Sequence, residues 1–296
     1  MIPLRDNIPT LRFPVLTVAL IAINIAVFIW QWQFPLDRDL ERAGLTSGID
    51  QSAVEYGAIP YRITHPGEST CFLAAVPHGN NVSEEIACEG TPELRAAEGI
   101  VGERVQRSGG GTTAVSEPIP LDQAAWFVTV LAALFMHGGI LHIAGNMLFL
   151  WIFGNNIEDS MGRPRFLLFY LLAGLISLYA QALIDTSSTV PTIGASGAIA
   201  GVLGGYALLF PKARVLTLIF IIFFVTLIEI PAVILLGIWF VLQFVPAIGQ
   251  TAITDLAGGD SVAYLAHVGG FIFGLAAIRL FVRGRAGPPP APAYPG

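Results

Sequence analysis

An all-α membrane protein with six transmembrane helices and both termini in the cytoplasm is the fold class this sequence predicts, on three observations. Of its 296 residues 54% are apolar and only 12% charged, with a mean hydropathy of +0.69, which is more apolar surface than a soluble domain can cover. Several windows reach the roughly 20 helical residues needed to cross a hydrocarbon core of about 30 Å. The basic residues of the short segments are Arg5, Arg12, Arg163, Arg165, Lys212, Arg214, Arg279, Arg283 and Arg285, whereas the short segments 185–192 and 246–261 hold none. Basic short loops mark the cytoplasmic side, so the number of spans is even.

The N-terminal unit, residues 1–35, carries the first span at 13–32. This run follows two arginines as a secretory signal would, but it is about 20 residues long and leaves through Gln31, Trp32, Gln33 and Phe34 with no small-x-small cleavage site; it predicts an uncleaved span. Residues 36–123 form a long extracytoplasmic loop. Between 36 and 122 it holds 14 acids against 6 arginines, which gives no reason to expect a nucleic-acid partner. The only two cysteines, Cys71 and Cys88, lie in it, as a disulfide or as two unpaired thiols. Asn81-Val82-Ser83 fits the short glycosylation acceptor pattern.

Residues 124–283 form the membrane core. A helix over 124–136 lies at the outer interface and ends where Gly138 and Gly139 follow His137; the second span is 141–156. Spans three and four occupy 166–184 and 195–210. The piece 215–228 is about 14 residues, or roughly 21 Å as a helix, too short to cross, and counting it would put Arg279, Arg283 and Arg285 outside. It is assigned to the cytoplasmic interface, with a break at Glu229 and Pro231, and 231–245 and 265–282 become spans five and six. Residues 284–296, rich in proline and alanine, predict a disordered cytoplasmic tail.

Polar residues inside these spans point to chemistry. His137, His142, Asn146, Ser196 and His267 sit in or beside apolar runs, where such groups are costly and usually line a functional cavity; interhelical hydrogen bonding is the alternative. His142 precedes Glu158, Ser196 precedes Lys212 and His267 precedes Arg283 by 16 residues each. At about 1.5 Å per residue all three side chains lie roughly 24 Å from the inner boundary, at one level some 5–10 Å below the outer surface. His142 and Asn146, four apart, share a helix face. The stripes Gly197, Gly201, Gly205 and Ala266, Gly270, Gly274 let the fourth and sixth helices approach closely, bringing Ser196 within reach of His267.

These residues resemble the rhomboid family, of bacterial type. His137-Gly-Gly-Ile-Leu-His142-Ile-Ala-Gly-Asn146 is similar to its H-x4-H-x3-N signature, Gly194-Ala-Ser196-Gly197 to its G-x-S-G, and Ala266-His267-Val-Gly-Gly270 with Gly274 to its A-H-x-x-G-x-x-x-G, in family order. Gly154, Glu158 and Gly162 resemble its G-x3-E-x3-G turn. The resemblance covers about 124–282; a Trp-Arg pair found in some rhomboids has no counterpart, since Phe127 follows Trp126. It implies a six-helix rhomboid-like bundle and an intramembrane serine endopeptidase of the bacterial inner membrane, its site opening to the extracytoplasmic side. Ser196 would be the nucleophile and His267 the base of a dyad. Asn146, His142 and the Ser196 N–H would form the oxyanion hole, with His137, Gly194, Gly197 and Glu158 in support. Asp255 and Asp260 are the nearest carboxylates for a third member.

The substrates implied are membrane-anchored proteins cut in or near a transmembrane segment, admitted laterally near the fifth span, because a helical carbonyl is shielded until local unwinding. The loop 245–261, with Gly249, Gly258 and Gly259, is either a movable cap or an ordinary connection. No metal or organic cofactor is implied. A transporter would be expected to show paired carboxylates or internal repeats, and a zinc protease H-E-x-x-H, whereas His137 and His142 are five apart with no glutamate between. A catalytically silent client binder would lack Ser196 or His267.

Overall fold

Pro14 closes an extended N-terminal stretch containing strand β1 (Ile2–Asp6), and the apolar run after it, free of further proline or glycine, forms helix α1 (Val15–Trp32). The computed structural model describes residues 1–42, 45–67, 70–78, 81–106, 112–221, 224–250 and 262–282, so the tail at 284–296 and most of the 245–261 loop lie outside it, with Asp255 and Asp260. The buried face of α1 is Thr17, Leu20, Asn24, Phe28 and Gln31, the three-and-four spacing of one helix side.

Residues 36–123, which the sequence suggested only as a loop, contain a folded unit. Helices α2 (Arg38–Arg42), α3 (Gly48–Tyr56) and α4 (Pro60–Thr64) precede a hairpin of β2 (Cys71–His78) and β3 (Asn81–Cys88). After it come α5 (Pro92–Gly99), the ladder of β4 (Arg104–Gln106) with β5 (Thr112–Ala114), and β6 (Ile119–Pro120), which pairs with β2. The helix starts are written locally: Ser47 accepts from the Asp50 N–H, and Thr91 from the Leu94 N–H with Pro92 in the first turn. Strand β2 is covered on both faces. Cys71 and Leu73 join a core with Leu40, Val54, Ile59, Tyr61 and Leu121, while Phe72 and Ala74 face Leu94 and Ala97 of α5. Cys71 and Cys88, opposite each other in the ladder, are joined as a disulfide.

The membrane portion begins with α6 (Trp126–Ala132), which tightens into a 3-10 turn at Ala133–Phe135 before the glycine pair. Helix α7 (Ile140–Phe149) runs through a π-helical turn, Leu150–Gly154, into α8 (Asn155–Met161), so the second apolar helix extends over 22 residues rather than stopping at 156. Gly162 turns the chain with φ of 79°, a conformation glycine adopts readily, into α9 (Arg163–Ile184). There follow α10 (Ser196–Leu209), strands β7 (Arg214–Ile221) and β8 (Phe224–Pro231), α11 (Ala232–Gln250) and α12 (Tyr264–Phe281).

The expected all-α class is therefore corrected. The chain is mostly helical, but residues 215–228, measured as a helical piece, form an antiparallel hairpin, and β1 adds to it in the order β1-β7-β8. Val215, Thr217, Ile219, Val225, Thr226, Ile228 and Ile230 explain the choice: side chains branched at Cβ lose rotamer freedom in a helix and fit a pleated strand.

Helices α1, the 22-residue Ile140–Met161 helix, α9 and α12 are long and apolar enough to cross a membrane. Helix α10 is shorter, 14 residues or about 21 Å, and lies at the centre. Ala198, Ile199, Ala200, Val202, Leu203 and Tyr206 are buried among Leu150, Phe153, Phe169, Phe271 and Ile278. Two sets of polar contacts brace the end of the bundle away from Ser196. Glu158 accepts from the N–H groups of Leu16 (3.1 Å) and Thr17 (2.8 Å) and from the Thr17 hydroxyl (2.9 Å), binding the foot of α1 to α8. Asp6 accepts from Asn156 Nδ2 (2.6 Å) and from the Tyr206 hydroxyl.

Candidate active site

Ser196 is the first residue of α10 and inherits its position from the turn before it. Gly194, with φ of 130°, donates its N–H to the Ala133 carbonyl at 2.8 Å, pinning the turn to the 3-10 segment. A Cβ at Gly194 would lie 3.0 Å from His142 Nε2 and 3.3 Å from Ser196 Oγ, so only glycine leaves both groups room. The loop before the turn is held by the 36–123 unit: Ala58 and Thr192 exchange N–H to carbonyl bonds of 3.1 and 2.8 Å, and Tyr61 N–H reaches the Ser188 carbonyl at 2.9 Å.

His267 arrives on α12 through backbone contact. A Cβ at Gly270 would meet the Gly197 carbonyl oxygen at 2.1 Å, and one at Gly274 the Gly201 oxygen at 2.0 Å, so these helices touch where they lack side chains. At that separation His267 Nε2 lies 2.7 Å from Ser196 Oγ. Its other nitrogen, Nδ1, lies 2.8 Å from Gln243 Oε1 on α11. An amide oxygen only accepts, so Nδ1 carries the proton and Nε2 takes the serine hydroxyl proton as acceptor. Trp239, one turn before Gln243, places its ring 6.0 Å from the imidazole.

Across the cavity, His142 Nδ1 accepts from the Gly138 N–H at 3.3 Å, which leaves Nε2 as the proton-bearing nitrogen beside Gly194. Asn146 follows one turn later on α7, and its Nδ2 is buried without a partner. Together with Ser196, His267, Trp239 and Gln243 these residues line an open cavity of about 870 Å³. The first-turn N–H groups of α10, Ser196's included, find no acceptor within their own helix and point toward its start, where the dipole also favours negative charge. The arrangement is a hydroxyl bonded to a neutral imidazole acceptor, facing donors that await an anion.

Of the sequence-derived residues, Ser196, His267, His142 and Asn146 meet in this cavity, and Gly194 and Gly197 shape it. His137 stands behind it: its side chain is fully buried, its ring lies 5.0 Å from that of His142, and its N–H donates to Gln31 Oε1 at 2.9 Å. Glu158 lies in α8, at the end of the bundle away from Ser196, and braces α1. Sequence reasoning missed three contributors. Gln243 touches His267. Gln31, fully buried, links His137 to Ser52 of the 36–123 unit through Nε2 at 3.2 Å. Strand-like pairing at Ala58 grips the loop before Ser196. Gln31 and Gln243 were visible as amides in apolar runs, the signal that singled out Asn146.

Comparison with known proteins identifies the family. A family model described as the Rhomboid domain matches residues 124–284. The chain is 31% identical over 152 residues to Rhomboid protein 1, mitochondrial, of Saccharomyces cerevisiae, covering 50% of this chain and 40% of that protein. It is 36% identical over 94 residues to the Presenilin-associated rhomboid-like protein, mitochondrial, of Homo sapiens, covering 31% and 24%. It is 43% identical over 82 residues to Rhomboid protease GluP of Bacillus subtilis, covering 28% and 15%. The chain thus spans well under half the length of the curated relatives it matches. With more than half its residues matched by the domain, and with four helices among the described residues fit to cross a bilayer, this chain is a multi-pass membrane protein that belongs to the rhomboid family.

Proposed function

We propose that this protein is a serine endopeptidase that cuts membrane-anchored proteins in or near a transmembrane segment, with Ser196 as nucleophile and His267 as base. The observation that carries the reading is the 2.7 Å bond from the Ser196 hydroxyl to His267 Nε2, opening on the cavity that holds the unpartnered Asn146 amide. Oγ attacks the scissile carbonyl as its proton passes to Nε2; the oxyanion is taken up by Asn146 Nδ2, His142 Nε2 and the Ser196 N–H. Collapse breaks the C–N bond, and the imidazolium returns the proton to the leaving amine. Water, deprotonated by His267, then hydrolyses the acyl-enzyme.

In this reading α10 and α11 complete six spans, both termini are cytoplasmic, and the cavity and the 36–123 unit lie on the extracytoplasmic side of a bacterial inner membrane. Substrate helices are admitted laterally beside α11, whose Trp239 and Gln243 form one wall of the cavity. The test uses purified protein in proteoliposomes with a reporter bearing one transmembrane segment, together with fluorophosphonate labelling. Wild type cleaves and is labelled, and Ser196→Ala does neither. Equal cleavage by Ser196→Ala, or a wild type that neither cleaves nor labels, overturns the proposal.

A further inference from the structure

We propose that Gln243 is a positioning residue for the base, a neutral third member that fixes His267 in the tautomer able to accept the serine proton. The inference rests on the dyad reading above and extends it to a helix that contributes none of the family motifs in this sequence.

Two observations support it. The amide oxygen of Gln243 sits 2.8 Å from His267 Nδ1, while Nε2 is engaged by Ser196 Oγ at 2.7 Å, so the imidazole is held at both nitrogens. A neutral imidazole has one N–H, and its location decides whether the ring is a base or a bystander. With the Gln243 oxygen facing Nδ1, the proton stays there and Nε2 presents its lone pair to the hydroxyl. The opposite amide orientation would set an N–H against Nδ1, drive the ring proton onto Nε2, and make the serine an acceptor. The second observation is the packing of α11. Trp239 and Gln243 are four apart, on one helix face, and Trp239 lies against the same imidazole. Trp239 thereby packs beside the ring while Gln243 sets its tautomer.

The chemistry suits a bilayer. A carboxylate on α11 would carry a charge into the apolar span and would need a partner for it, whereas an amide supplies the acceptor without one. The amide stabilises the transient imidazolium less than a carboxylate would, so its contribution is orientation. Because Gln243 and His267 belong to different helices, a separation of α11 from α12 by about 1 Å exceeds hydrogen-bond reach and releases the tautomer. Base competence is therefore conditional on α11 being seated.

The experiment combines kinetics with imidazole nitrogen spectroscopy on full-length protein labelled with ¹⁵N-histidine, the His267 signals being assigned by their loss in His267→Ala. Gln243→Leu, close in volume but without an acceptor, is expected to lower kcat about 10- to 100-fold with KM within twofold, since a misplaced catalytic group costs on that order. In the same variant the Nδ1-protonated signature gives way to a tautomer mixture. Gln243→Glu, which keeps an acceptor, restores most of kcat and the signature; this guards against a Gln243→Leu loss that comes from misfolding. The proposal is overturned if Gln243→Leu keeps the wild-type tautomer, whether or not activity falls, or if Gln243→Glu is as slow as Gln243→Leu. These outcomes are separate from failure of the proteolytic reading, which is read from Ser196→Ala in the same assay.

Discussion

The Ser196–His267 bond exists because two helices touch through bare backbone, and Gly270→Ala tests that dependence. A methyl group at position 270 would stand 2.1 Å from the Gly197 carbonyl oxygen. A carbon meets a carbonyl oxygen at about 3.3–3.6 Å, so the deficit is roughly 1.2–1.5 Å, and neither backbone has a flexible end to swing away. If α10 and α12 separate by that amount, the 2.7 Å contact of the residues beside this crossing opens to about 4 Å, beyond hydrogen-bond range. General-base assistance is worth about 10²–10⁴ in rate, so cleavage by Gly270→Ala falls at least about 100-fold. Overpacking of this kind costs about 1–3 kcal/mol, which leaves folded protein to assay. Reporter cleavage and fluorophosphonate labelling in proteoliposomes, normalised to protein that elutes as wild type, measure the effect. Gly237→Ala is the control, because nothing lies within 4 Å of the added carbon. Activity within threefold of wild type in Gly270→Ala would show that the helices are not at their minimum separation.

At the other end of the bundle, Glu158→Ala strips the acceptor from two N–H groups and the hydroxyl at the foot of α1; leaving buried donors unsatisfied costs about 1–3 kcal/mol each, so the melting temperature in detergent falls by several degrees without loss of the Ser196–His267 contact. Reduction of the disulfide, whose cysteines are 17 residues apart, removes roughly 3 kcal/mol from the 36–123 unit. Through Ala58 and Tyr61 it loosens the loop before Ser196, so phosphine-treated protein labels more slowly than untreated protein. Burial raises the Asp6 carboxyl from its ordinary value of 3.8 to about 6. Between those values the folded state binds more protons than the unfolded one, so the stability this group contributes falls as pH rises through the window and is level above it; Asp6→Asn flattens that slope in denaturation curves taken from pH 4 to 7.

The helices that can cross a bilayer were legible because length and apolarity are sufficient to mark them, and the site was legible because a bilayer makes polar residues conspicuous. Ser196, His142 and His267 each stand 16 residues before a charged residue in the sequence, and that arithmetic identifies three helices whose side chains meet. What failed to show was structure whose signal is shared with something else. An apolar stretch such as 214–231 reads as a short helix or as a strand pair, and only the density of Val, Ile and Thr distinguishes them. The 36–123 unit hides in short elements, each too brief to announce itself, although Ser47 and Thr91 mark two helix starts. Gln243 was overlooked because it lies inside a run read only for its apolarity, and its role depends on which helix faces α12, a tertiary fact.

The arrangement explains how one bond can be held between side chains that two separate helices supply. The glycine crossings of α10 and α12 set a floor on separation, since Gly197 and Gly270, Gly201 and Gly274 are already in backbone contact. Polar ties set the ceiling. Glu158 binds α1 to α8, and Asp6 binds β1 to both Asn156 and Tyr206, so the far ends of α8 and α10 are fixed to one carboxylate. At the near end the ties fall instead on single backbone groups beside the site: Gly194 held by Ala133, Thr192 by Ala58, His137 by Gln31 of α1. A perturbation of the far end should therefore lower stability before it lowers catalysis, while one at the near end should lower catalysis at nearly constant stability. The ratio of those two effects, taken across Glu158→Ala and Gln31→Leu, measures how far the site is insulated from the bundle that carries it; similar ratios in the two variants would mean that no such division exists.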